Sequence, residues 1–110
     1  MKQRRSVLLL FAALATPTCA SEAYDVRPEL WDRPRTASAI VSDESVKRAV
    51  NALLARADAQ LVIHHAPAQE PLLQAEELRS WLAALAIDSR RVALRGDSPA
   101  GAPIRLEVAP

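Results

Sequence analysis

Residues 60–65 read QLVIHH, residues 72–87 read LLQAEELRSWLAALAI, and residues 90–95 read RRVALR. The β-branched pair Val62 and Ile63 favours a strand. On it Leu61, Ile63 and His65 share one face, while Val62 and His64 share the other. In the second stretch Ala75, Leu78, Trp81, Leu82 and Leu85 recur at helical spacing, with Glu76, Glu77 and Ser80 turned outward. Pro71 precedes the first turn, where a missing N–H costs little. In the third, Val92 and Leu94 alternate with polar neighbours, which predicts a second strand. Pro67 and Pro71 make 66–71 a loop.

The same reasoning extends outward. Residues 96–103 (GDSPAGAP) are turn chemistry throughout. Ile104, Leu106 and Val108 then alternate with Arg105 and Glu107, which predicts a half-buried final strand. Upstream, Val46, Ala49, Val50, Leu53, Leu54 and Ala57 predict an amphipathic helix over 43–57, with an N-cap oxygen from Ser42 or Asp43. Ile40 and Val41 predict a short first strand over 37–41. The expected order is strand, helix, strand, helix, strand, strand. The simplest packing is α/β in two layers, with two helices on one face of a small mixed sheet of about four strands.

The remaining N-terminal residues fall into two parts. Residues 1–6 (MKQRRS) carry three positive charges and no acid, and 7–15 (VLLLFAALA) are nine apolar residues in a row. A bilayer span needs about 20. This pattern predicts a signal peptide over 1–20, cleaved after Ala20, with Ala15 and Ala23 as other sites. Cys19 follows Thr16 and Thr18 rather than the Leu and small residue of a lipoprotein signal, so it is expected to be discarded. Residues 21–36 mix charges with Pro28 and Pro34 and predict an extended arm or linker. Its apolar residues Tyr24, Val26, Leu30 and Trp31 either cover an edge of the domain or dock on a partner. Trp31 is the candidate partner contact. The domain proper is expected over 37–110.

Composition narrows the function. The whole chain has 110 residues and a formal charge of +1, which gives no reason to invoke nucleic acid. One Cys in the whole chain excludes a disulfide framework and a multi-Cys zinc site. His64 and His65 are adjacent on a strand and point to opposite faces, so no metal site is expected from them. No nucleophile motif or phosphate loop occurs, since Gly96 and Gly101 are the only glycines. Arg90 and Arg91 either bind an anion or solvate a loop. No enzyme activity and no cofactor are expected, and the mature chain carries no candidate transmembrane segment.

The runs QLVIHHAP at 60–67, LAALAID at 82–88, RRVALRGD at 90–97 and IRLEV at 104–108 carry a resemblance. In order and pattern, residues 37–108 resemble the OmpA-like domain of bacterial envelope proteins, which binds peptidoglycan. In that family a strand carries a Gly-[His/Tyr]-Thr-Asp run, and the next helix carries an Arg-Ala pair and ends in Gly-Ile. Here Pro67 stands in the place of the ligand-holding Asp, Gln74-Ala75 in the place of Arg-Ala, and Ala86 in the place of the helix-ending Gly. The resemblance implies an exported, non-catalytic, periplasmic or secreted envelope module for binding or scaffolding. Peptidoglycan binding would be weakened, lost or rebuilt around His65, Glu70 and Gln74. The alternative is a periplasmic accessory that binds an envelope protein through the 21–36 arm and the open sheet face.

Overall fold

The computed structural model describes residues 21–110. The expected signal peptide over 1–20 lies outside the described residues. The chain is a two-layer α/β fold with a four-stranded mixed sheet. Strand β1 (Glu22–Asp25) leads through a 3-10 turn (Pro28–Asp32) to helices α1 (Ala37–Ser42) and α2 (Glu44–Leu54). Strand β2 (Gln60–His64), helix α3 (Gln69–Ala84), a second 3-10 turn (Ser89–Arg91) and strands β3 (Val92–Arg95) and β4 (Arg105–Ala109) follow. The sheet order is β1-β4-β2-β3. β2 and β3 are parallel, as a pair joined through a crossover helix must be, and β4 is antiparallel to both its neighbours.

Alternation sorts the sheet residues. Leu61, Ile63, Val92, Leu106 and Val108 are buried in one cluster with Val46, Ala49 and Leu53 of α2 and Ala75, Leu78 and Leu82 of α3. The long helices therefore cover that face. The opposite face carries Val62, His64, Arg105 and Glu107, with Ala93 and Arg95 in register beside them.

Three expectations about the first half of the domain need correction. The strand expected over 37–41 is helix α1. Thr36 caps it by accepting the Ala39 N–H at 3.0 Å, and only Ile40 is buried while Val41 is exposed. The first strand is β1 instead, which pairs with β4 in the register Tyr24↔Leu106. Residues 21–36 are consequently not a separate arm or linker, and of the two roles open to their apolar residues, covering an edge of the domain is the one seen for Tyr24, Val26 and Leu30. Val26 and Leu30 lie in the core at 1% and 6% exposure, and the Val26 N–H donates to the Ile104 carbonyl at 2.8 Å. Deleting 21–36 would take out part of the core.

The α2 start is as expected, but α2 ends at Leu54 rather than 57, and α3 spans Gln69–Ala84 rather than 72–87. α2 begins where Asp43 accepts the Val46 N–H at 3.0 Å. α3 begins at Gln69, so Pro71 sits inside its first turn, where no intrahelical N–H donor is needed. α3 closes through the Ile87 N–H on the Leu82 carbonyl at 2.9 Å, with Ala86 in the left-handed region at φ 73°. That conformation usually falls to glycine, and a Cβ there costs on the order of 1 kcal/mol.

Candidate functional site

The main concavity is a cleft of about 730 Å³. One wall is the outward face of α3, with Glu70, Leu73, Gln74 and Glu77. The second is the chain from Asp25 to Arg35, with Pro28 and Trp31 prominent. The turn before β4, from Gly101 to Ile104, closes the third side. The cleft thus exists because β1 and the 3-10 turn fold back along α3.

An ion pair fixes two of these walls together. The Arg35 Nε donates to Glu77 Oε2 at 2.9 Å and its Nη2 to Glu77 Oε1 at 3.1 Å, a two-pronged contact. The guanidinium also lies 5.6 Å from the centre of the Trp31 ring, and its Nη1 donates to the Trp31 carbonyl at 2.9 Å. Glu77 Oε2 further accepts the Trp81 indole N–H at 3.1 Å. Arg35 holds the Glu77 carboxyl below its ordinary range, against a smaller upward push from burial, and Trp81 adds to the lowering. Glu77, expected to face solvent freely, is therefore committed to the cleft's frame. Trp81 is half-buried and packs on the core, with its N–H satisfied.

With Arg35 neutralised, the charges left in the cleft are Asp25, Asp32 and Glu70 against Arg27. None of the four has an ion-pair partner among the described residues. Helix α3 starts at the cleft without a side-chain cap, because Ala68 has no oxygen to offer. Glu70 in its first turn complements the positive helix end.

The structure divides the candidate residues. Trp31, Glu70 and Gln74 meet in the one cleft, although they come from segments read separately in the sequence. His65 is not part of its lining. Its Nδ1 donates to the Ala66 carbonyl at 2.8 Å, and its ring packs so closely on Gly96 that a Cβ there would lie 3.0 Å from Cε1. Neither histidine is exposed, at 4% for His64 and 7% for His65. Among the described residues no group of three or more His, Cys, Asp or Glu is arranged to hold a metal ion. No helix among them is long and apolar enough to cross a membrane.

Two groups escaped sequence reasoning. His64 lies on the helix-free face between two carboxylates: its Nδ1 is 2.7 Å from Asp97 Oδ1 and its Nε2 2.8 Å from Glu107 Oε1. Both carboxyls are lowered, chiefly by the hydrogen bond to His64, and Glu107 also by the Ser21 hydroxyl. Arg91, one of a pair read as anion-binding or merely solvated, donates to the carbonyls of Leu53, Arg56 and Ala59. It thereby ties the end of α2 and the following turn to the start of β3. The period-two pattern puts Arg105 and Glu107 on one face, but pairing them with His64 needs the register of β2 on β4.

Comparison of the chain with protein-family models, with curated proteins and with solved structures gives no match.

Proposed function

We propose that the chain is an exported, non-catalytic module of the bacterial envelope. It is a short, divergent OmpA-like domain that binds the peptide part of the cell wall in the cleft between α3 and the Asp25–Arg35 segment. The observation that carries this reading is the convergence of Trp31, Glu70 and Gln74 on one cleft. Trp31 offers a rigid apolar surface, and Glu70 and Gln74 offer polar atoms to an extended peptide. The cleft lining contains no Ser, Thr, Cys, His or Lys, which favours binding over covalent catalysis. The helix-ending Ala86-Ile87 also supports the family reading, because Ala86 adopts the left-handed conformation suited to the Gly of a Gly-Ile ending.

The test is co-sedimentation of residues 21–110 with isolated peptidoglycan sacculi. Retention that soluble wall peptide competes away, and that Trp31→Ala or Gln74→Ala weakens, is the expected result. A folded chain that stays in the supernatant at every sacculus concentration would overturn the reading. Specific capture of an envelope protein by that same chain would then favour an accessory role.

A further inference from the structure

We infer that His64 is a positioning residue for the cleft, acting from the opposite face of the sheet. Through Asp97 it holds the 96–104 turn, and so the third wall of the cleft, in a manner that depends on its ring protons. The part concerning ligand capture rests on the binding reading above, while the part concerning the turn does not.

The turn from Gly96 to Ile104 links β3 to β4 and supplies Gly101, Ala102, Pro103 and Ile104 to the cleft. Few bonds hold it. The Ser98 N–H donates to the His65 carbonyl at 3.1 Å, the Ala102 N–H donates to the Pro99 carbonyl at 3.1 Å, and Asp97 reaches His64 at 2.7 Å. The His64–Asp97 contact is the only side-chain hydrogen bond from the turn to the sheet among the described residues.

The hydrogen-bond inventory sets the proton requirement. An ionised carboxylate only accepts, so each of the two ring contacts is a hydrogen bond only when that nitrogen carries a proton. A singly protonated ring keeps one of the two. The other carboxylate then faces a nitrogen lone pair at under 3 Å and is driven off. Asp97 is the one free to leave, because its side chain is half-exposed at 51% and sits on a turn, whereas Glu107 is fixed on β4 and only 27% exposed. The other charges around the ring are Arg95 on β3 and Arg105 on β4, both in register with His64, and Asp25 on β1 opposite Arg105. The helices add none, because they pack on the other face.

The experiment follows residues 21–110 by two-dimensional NMR and amide exchange on both sides of the His64 ring titration, located from its own ring signals, with exchange corrected for its intrinsic pH dependence. Protection of the Ser98 amide should fall by at least about fivefold as the ring loses a proton, matching the net worth of about one hydrogen bond. The Gly101, Ala102 and Ile104 amides should shift in the same transition. In His64→Gln both responses should be flat, and retention on sacculi should vary with pH in the wild type alone. A wild-type turn that does not respond, or a His64→Gln turn that responds equally, overturns the inference. If His64→Gln does not fold, Asp97→Asn serves: a turn that keeps the wild-type response in that variant overturns it as well. A turn that responds in a protein never retained on sacculi upholds the positioning of the turn and defeats the binding reading alone.

Discussion

Leu30→Ala tests whether the Asp25–Arg35 wall is structural. Leu30 is 6% exposed and packs in the same buried cluster as β2 and α3. Core Leu→Ala changes cost about 2–5 kcal/mol through lost transfer energy and the cavity left behind. Leu30 comes from a short 3-10 turn and borders a surface pocket rather than the centre of the core, so the lower half of that range, about 2–3 kcal/mol, is expected. Residues 21–110 number 90, and at 0.05–0.15 kcal/mol per residue their total stability is on the order of 5–13 kcal/mol. A domain of this size loses about 4–8 °C of Tm per kcal/mol, so Leu30→Ala should melt about 8–24 °C early. Thermal unfolding followed by far-UV circular dichroism measures this. Glu29→Ala, at an exposed position of the same turn, should stay within about 0.5 kcal/mol of wild type. Removing 21–36 altogether takes away Val26, Leu30 and the β1 ladder, and should abolish the cooperative transition. A fragment 37–110 that melts cooperatively at the wild-type midpoint would refute the reasoning.

Other substitutions have outcomes that follow from single contacts. Ala86→Gly relieves the left-handed residue that closes α3 and should raise the urea midpoint by the equivalent of about 0.5–1 kcal/mol. Arg91→Met keeps the apolar stem but leaves the Leu53, Arg56 and Ala59 carbonyls without their side-chain donor, a loss of about 1–3 kcal/mol by the same assay. Glu77, Asp97 and Glu107 all have carboxyls lowered by folding. Their stabilisation is full above their unfolded values and disappears as pH falls through the lower folded ones. Urea midpoints measured from neutral pH down to about pH 3 should therefore decline, and Glu107→Gln should flatten part of that decline.

The elements that were legible in the sequence are those whose residues carry their own signal. Val62-Ile63, Val92-Ala93-Leu94 and the Ile104-Leu106-Val108 alternation are strand patterns whatever their partners, and the 75–85 stripe is a helix pattern. β1 is the opposite case. Glu22, Ala23 and Asp25 are poor strand formers, and their extended state is imposed by the ladder with β4. Ile40-Val41 misleads for the complementary reason: the pair favours a strand, but β1 already occupies the place beside β4, and Thr36 starts a helix. The cleft was legible only in fragments. Trp31, Glu70 and Gln74 each stood out, but their meeting depends on Arg35 reaching Glu77 across 42 positions. The His64 cluster joins residues 64, 97 and 107, so only the register of β2 on β4 and the path of the turn bring it together.

We propose above that wall peptide enters the cleft between α3 and the Asp25–Arg35 segment. The most direct test is a two-dimensional NMR titration of residues 21–110 with soluble wall stem peptide. Saturable shifts confined to residues 25–35, 70–77 and 101–104, including the Trp31 indole N–H, are expected, with their loss in Trp31→Ala. Saturable shifts clustered elsewhere, or none at ligand concentrations that saturate a known wall-binding domain, would contradict the proposal.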